Sequence, residues 1–182
     1  FVELPSQILE NWCYEKECLD IFAKHYKTGE SIPIEFVEKI KESSMFMQGI
    51  TTVRQISLGL LDMSWHAVDP SNITNVREYE SKAIIKTRLF PDIDINCHSV
   101  SFSHIFAGGY SSGYYSYLWT EVMEADAFEP FREKGLFHKE TADKLKKFVY
   151  SSGNTDDLMT QYVRYRGSEP NIEPLIKKRG LD

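Results

Sequence analysis

Thr51-Thr52-Val53-Arg54-Gln55-Ile56-Ser57-Leu58-Gly59-Leu60-Leu61-Asp62-Met63 is the stretch on which the fold reading turns. Val53, Ile56, Leu60 and Met63 recur at steps of three, four and three, a spacing that stacks side chains on one face of a helix and scatters them across both faces of a strand. A helix is therefore predicted from about Thr51, with those four residues as its apolar face. On the N-terminal side, Pro33 opens a helix carrying Phe36, Val37, Ile40 and Phe46, and Gly49 reads as the interruption between the two. Earlier still, Ile8, Trp12, Leu19 and Phe22 predict one helix from Leu4 to about Tyr26, with Pro5 suited to its first turn and Gly29 beyond its end. On the C-terminal side, Asp69-Pro70 is a stop. Val76, Tyr79, Ala83 and Leu89 then mark a helix from about Asn75 to Phe90, ended by Pro91. Further helices are expected at about Gly113 to Ala125, Lys139 to Tyr150 and Thr155 to Tyr165, followed by a tail with Pro170, Pro174 and Gly180. Asp92 to Ser111 lacks helical periodicity and reads as an ordered, glycine-rich loop, with strand expected at most near Ile93 to Ile95. The fold class is mainly α, multi-helical, with at most minor β.

The chain has 182 residues, enough for one domain or a large piece of one. Its balance of 42% hydrophobic and 26% charged residues is that of a folded globular chain, not a disordered one. A net charge of −6 and a pI near 5.4 exclude a nucleic-acid partner, because phosphate binding needs a basic stripe and the only basic run is Lys177-Lys178-Arg179. No apolar run is long enough to span a membrane. Cys13, Cys18 and Cys97 lack zinc-finger or redox spacing and read as reduced thiols. Asn72-Ile73-Thr74 is a formal glycosylation sequon of little weight. Phe1, not Met, opens the chain, so the true N-terminus is expected outside it and a signal peptide is not judged; the protein is read as cytoplasmic.

Two phrases could carry chemistry. Glu3, Gln7 and Glu10 share a face of the first helix, away from Ile8 and Trp12. A carboxylate at a helix start also has a plain explanation, since the backbone dipole favours it there. The second phrase is His104-Ile105-Phe106-Ala107-Gly108-Gly109-Tyr110-Ser111-Ser112-Gly113-Tyr114-Tyr115-Ser116-Tyr117-Leu118-Trp119. Tyr110, Tyr114 and Tyr117 follow at i, i+4 and i+7 and continue to Glu121, giving a polar-tipped stripe; Tyr115, Leu118, Trp119 and Val122 form the opposite, core-directed side. Tyrosines packed in a core with bonded hydroxyls are the competing reading. His104, beside two glycines and three phenols, could help bind an oxyanion or a peptide backbone, whereas His25, His66, His98 and His138 have no comparable surroundings. The chain contains no His-Glu-x-x-His, no Gly-x-Ser-x-Gly and no phosphate loop, hence no complete catalytic engine.

Phe1-Val2-Glu3-Leu4-Pro5-Ser6-Gln7 with Glu10-Asn11-Trp12, and His104 to Tyr110 with Tyr114-Tyr115 and Tyr117-Leu118-Trp119, closely resemble the thimet oligopeptidase family of zinc metallopeptidases, the bacterial peptidyl-dipeptidase branch nearest. Ser152-Gly153-Asn154, Arg166-Gly167, Pro170 and Arg179-Gly180-Leu181 resemble that branch's C-terminus, so the likeness covers nearly the whole chain. It implies that residues 1–182 are the C-terminal part of a catalytic domain whose His-Glu-x-x-His helix, with two zinc ligands and the general base, lies upstream. Glu3 matches the third zinc ligand, and Tyr117 and His104 match residues that stabilise the transition state. Tyr110 and Tyr114, with Gly108 and Gly109, match the substrate-binding loop. Glu10 is a candidate for supporting a zinc-ligating His. The resemblance further implies short peptide substrates, a monomeric full-length enzyme, and a fragment that is inactive alone and holds Zn2+ weakly. The alternative is a non-catalytic helical module that binds peptides or acts as a scaffold.

Overall fold

The computed structural model describes residues 1–90, 92–93 and 98–181. In chain order the helices are α1 (Leu4–Glu10), α2 (Lys16–Phe22), α3 (Ile34–Met45), α4 (Gln48–His66), α5 (Val76–Ala83), α6 (Ser103–Phe106), α7 (Ser116–Lys134), α8 (Lys139–Leu145), α9 (Leu158–Arg166) and α10 (Glu173–Lys178). Among the described residues extended pairing is confined to an isolated antiparallel bridge between Lys24 and Ser31, so the mainly α expectation holds. Ile93 lies in a bend; the rest of the expected strand, through Ile95, falls outside the described residues, as does Cys97. Cys13 and Cys18 are free thiols. Among the described residues no helix is long and apolar enough to cross a membrane.

Several element boundaries differ from expectation for identifiable reasons. The single helix expected from Leu4 to Tyr26 is two, because α1 tightens into a 3-10 turn at Asn11–Tyr14 and Glu15 is extended. Asn11 is buried there, its amide donating to the Ile8 carbonyl at 3.1 Å and to Glu124 Oε2 at 2.5 Å, the kind of local side-chain bond that competes with a continuing helix. The break between α3 and α4 is at Met47, which is left-handed at φ 57°; Gly49 lies within α4. The fourth expected helix stops at Ala83 and gives way to a 3-10 turn at Ile85–Thr87. The tail contains α10, with Pro174 in its first turn, where a missing N–H removes nothing.

The chain forms two compact units. One comprises Phe1–Phe46 with residues 119–181, the other Met47–Leu118. In the first unit α7 is buried along most of its length, from Thr120 to Phe131, as a central helix must be. Leu4 and Ile8 of α1 pack with Met123, Phe128 and Phe131 of α7 and with Leu145, Val149 and Tyr162. Trp12 meets the Phe128 and Phe131 rings edge-on at 4.7 and 4.8 Å. Pro130 would be expected to end this helix, since it cannot donate to the carbonyl four residues back. That carbonyl, on Asp126, instead accepts from Arg166 Nε at 3.1 Å, which lets α7 continue to Lys134. The buried carboxylates are partnered as well: Glu124 accepts from Asn11 and from Lys178 Nζ at 2.6 Å, and Asp126 accepts from the Tyr162 hydroxyl at 2.6 Å.

In the second unit α4 buries Leu58, Gly59, Leu61 and Asp62, with Trp65 partly buried, not the stripe singled out from the sequence. Ile56, Leu60 and Met63 are 40, 42 and 46% exposed. Leu58 and Leu61 pack with Ile84, Phe102 and Ile105, and Trp65 lies 4.4 Å from Tyr79.

Tyr162 and Tyr165 offer a test of the first unit's buried polar bonds. Tyr162 donates to a carboxylate, whereas Tyr165 donates only to the Ala127 carbonyl at 2.6 Å. Tyr162→Phe is expected to cost about 1.5–3 kcal/mol and Tyr165→Phe about 0.5–1.5 kcal/mol, the ranges for hydrogen bonds to charged and to neutral acceptors. Urea unfolding of the two variants checks the ranking, and a larger loss for Tyr165→Phe would contradict it.

Candidate active site

The glycine-rich segment turns back on itself immediately after the single turn of α6. Ala107 and Gly108 both donate to the Ser103 carbonyl at 2.7 Å, and Tyr110 donates to the His104 carbonyl at 3.0 Å. This doubling-back requires the glycines. A Cβ on Gly108 would sit 3.0 Å from His104 Cα and 3.1 Å from its carbonyl oxygen, and Gly109 occupies the left-handed region at φ 83°. The Ser111 hydroxyl then donates to the Ile105 carbonyl at 2.5 Å, closing the loop over α6.

Two buried carboxylates hold this segment at its ends. Glu80, on α5, accepts the His98 and Ser99 amides, each at 2.8 Å, and the Ser99 hydroxyl at 2.6 Å. Trp65 Nε1 donates to the same Ser99 hydroxyl oxygen at 2.9 Å. Asp62, on α4, is 0% exposed and accepts the Ser112 amide at 2.9 Å and the Tyr114 amide at 2.8 Å. His66, one turn further along α4, places Nδ1 2.9 Å from Asp62 Oδ1.

Between these ends four side chains are gathered. The Tyr110 and Tyr117 rings stack at 5.2 Å, and Tyr114 lies 5.0 Å from Tyr117 and edge-on to Phe102 at 4.9 Å. The His104 imidazole is 5.9 Å from Tyr114, 6.2 Å from Tyr110 and 6.3 Å from Tyr117. The three tyrosines are half-buried and His104 is exposed, an apolar platform with a solvent-facing side in place of a closed core. Burial pushes the Tyr114 phenol above its ordinary value against the opposing pull of the Arg54 guanidinium, so at neutral pH it is a hydrogen-bond donor. A cluster of phenol donors around an imidazole is suited to holding developing negative charge or a peptide backbone.

The sequence reading grouped these tyrosines along a helical face, and the structure groups them by another geometry. α7 begins at Ser116, so Tyr110 and Tyr114 reach Tyr117 through the folded loop and not along a helical face. For the same reason Tyr115 is outside the helix and 61% exposed; Trp119 is exposed too, and of the expected core face Val122 alone is buried. Glu121, read as the end of the stripe, pairs with Arg179. His66 was read as having no special surroundings, yet it bonds the buried Asp62. Asp62 itself was passed over, although a carboxylate inside Leu58-Gly59-Leu60-Leu61-Asp62-Met63, with a His four residues on, is a readable signal.

Glu3 and Glu10 lie in the first unit, the His104–tyrosine cluster in the second. Glu3 occupies the N-cap position of α1 but makes no side-chain cap bond, so helix capping does not account for its carboxylate; its Oε2 accepts from the Ser6 hydroxyl at 3.2 Å. One turn on, Gln7 Oε1 is buried with no hydrogen-bond partner among the described residues. Glu10 is exposed at the end of α1. Among the described residues no three His, Cys, Asp or Glu side chains converge on a point that could hold a metal ion.

The correction at Tyr115 yields a test. In this chain Tyr115→Ala is expected to cost about 0.5 kcal/mol, as for other exposed positions. Tyr114→Ala removes a half-buried ring from Phe102 and is expected to cost about 2–3 kcal/mol. Thermal unfolding compares them, and equal losses would contradict the assignment.

Residues 1–181 match Peptidase family M3. The chain is 39% identical over 185 residues to the probable cytosolic oligopeptidase A of Arabidopsis thaliana, covering 99% of this chain and 26% of that protein. It is 37% identical to oligopeptidase A of Escherichia coli strain K12, covering 99% of this chain and 27% of that protein, and 36% identical to dipeptidyl carboxypeptidase of Salmonella typhimurium, covering 100% and 27%. The chain thus spans about a quarter of the length of the curated relatives it matches. It belongs to peptidase family M3.

Proposed function

We propose that the full-length protein is a zinc-dependent peptidase of short peptides, an oligopeptidase or peptidyl-dipeptidase, and that this chain supplies one zinc ligand and the groups that bind the substrate and its transition state. The observation that carries the reading is the convergence of Tyr110, Tyr114 and Tyr117 on His104 beside a glycine turn, in a chain of a peptidase family. Glu3, at the N-cap position of α1, is the proposed ligand. The remaining ligands and the general base belong to a His-Glu-x-x-His helix outside this chain. Zinc in such a site, when bound, acidifies a water for attack on a peptide carbonyl. Glu10, on the same side of α1, is proposed to support a zinc-ligating His.

The residues of this chain act on the peptide. Tyr117 and His104 donate hydrogen bonds to the carbonyl oxygen as it gains negative charge. Those bonds strengthen along the reaction, so they favour the transition state over the bound peptide. Tyr110 and Tyr114 hold the peptide, and Gly108 and Gly109 let its backbone approach closely. The phenols must carry their protons to act, which agrees with the upward direction of Tyr114. The cytosolic relative favours the cytoplasm for this protein, and we take the full-length enzyme to be a monomer.

Two variants of the full-length protein test the proposal together. Tyr117→Phe is expected to lower kcat about 100-fold with little change in KM, as for loss of one oxyanion donor. Glu3→Ala is expected to lower both turnover and zinc content of the purified protein. Unchanged turnover in the first, or full zinc content in the second, would contradict the corresponding role and favour a peptide-binding module without catalysis.

A further inference from the structure

We infer that Asp62 is a positioning residue of this catalytic centre: held by His66, its carboxylate fixes the Ser112 and Tyr114 amides and so sets the Tyr114 and Tyr117 rings beside His104. The inference rests on the proposed function above.

Asp62 is 0% exposed, and both its oxygens are used. Oδ1 accepts the Ser112 amide at 2.9 Å and lies 2.9 Å from His66 Nδ1, while Oδ2 accepts the Tyr114 amide at 2.8 Å. His66 Nδ1 is also 2.9 Å from the Asp62 backbone carbonyl. Both neighbours of that nitrogen are acceptors, so Nδ1 carries the proton and His66 donates. A buried carboxylate needs such donors, because leaving any of its lone pairs unmet is expensive in a water-free setting.

The loop needs the carboxylate equally. Ser112 is in the left-handed region at φ 55°, where a residue with a Cβ is strained and persists only if its surroundings fix it. The bond from its amide to Asp62 is that fixation. Two residues on, the bond from Tyr114 sets the start of the turn that leads into α7 and carries Tyr117. Glu80 grips the other end of the segment at His98 and Ser99, so residues 98–114 are anchored on both sides of His104 and Tyr110. Asp62 bonds backbone amides and His66 and does not touch the phenols, so its effect on the reaction passes through position alone.

The test uses the full-length, zinc-loaded protein. Asp62→Asn keeps the shape but replaces one acceptor oxygen by a donor, so one of the two amides loses its partner. We expect kcat for an internally quenched short peptide to fall about 10–100-fold, the cost of misplacing catalytic groups by a fraction of an ångström to about 1 Å. KM should move less than about threefold and amide exchange across residues 112–114 should quicken about tenfold or more, with zinc content unchanged. His66→Ala leaves both amide bonds in place and should lower kcat about 3–10-fold in the same manner. Should Asp62→Asn fail to fold, His66→Ala decides: faster exchange at 112–114 with wild-type kcat overturns the inference. Faster exchange in Asp62→Asn with wild-type kcat, while Tyr117→Phe is impaired, overturns the positioning role and leaves the peptidase reading standing. Intact turnover in Tyr117→Phe overturns the peptidase reading itself, and this inference with it.

Discussion

A single buried carboxylate, that of Asp62, accepts two backbone amides from a loop fifty residues further along the chain, and the geometry of the candidate site depends on those two bonds. The loop's backbone–backbone bonds and its Ser111 hydroxyl bond are internal to it and to α6, so they shape the turn without tying it to α4. It is rich in glycine and serine; Gly109 and Ser112 are both left-handed, a conformation glycine adopts readily and serine only at a cost. Hydrophobic contact cannot specify such a segment to within a few tenths of an ångström, because apolar burial is non-directional. Charge-assisted hydrogen bonds can, since they have preferred lengths and angles and are stronger than neutral ones. The second unit uses the same device twice: Glu80 fixes the His98–Ser99 end as Asp62 fixes the Ser112–Tyr114 end.

This arrangement separates the groups that determine position from those that face a ligand. The carboxylates of Asp62 and Glu80 are buried and bond the loop's backbone, whereas His104 is exposed and the phenols are half-buried. The tyrosine rings support one another by stacking and tilted contact, with Phe102 beneath Tyr114, so their hydroxyl-bearing ends need little reordering when a partner arrives. Preorganised donors of that kind do their work without rearrangement at the moment of reaction. The first unit follows the same economy in its own core. Arg166 occupies the carbonyl that Pro130 leaves unbonded, and the buried carboxylates of α7 are met by Asn11, Lys178 and Tyr162.

Much of this could be read in the sequence, and what could not shares one cause. Helical periodicity placed the main helices, and the phrase from His104 to Trp119 named the side chains that the structure gathers. The face of α4 was misread because its buried side contains Asp62; a count of apolar residues passes over a carboxylate and settles on Val53, Ile56, Leu60 and Met63. Tyr110, Tyr114 and Tyr117 have helical spacing, but their proximity comes from a loop closed by contacts fifty residues away, which no local pattern contains. The passage of α7 through Pro130 is likewise a local preference overridden by a tertiary partner. Tyr115 illustrates the reverse case. Its assignment to the core assumed a helix that begins one residue after it.

We propose that this chain recognises the transition state of peptide hydrolysis and not merely the peptide. The most direct measurement is the dissociation constant, in full-length wild-type protein and in Tyr117→Phe, of a phosphinic peptide whose tetrahedral centre mimics that state and of a product dipeptide that does not. The account predicts that Tyr117→Phe weakens the phosphinic peptide about 100-fold while leaving the dipeptide nearly unchanged. Loss of affinity by the same factor for both, or for neither, would contradict it.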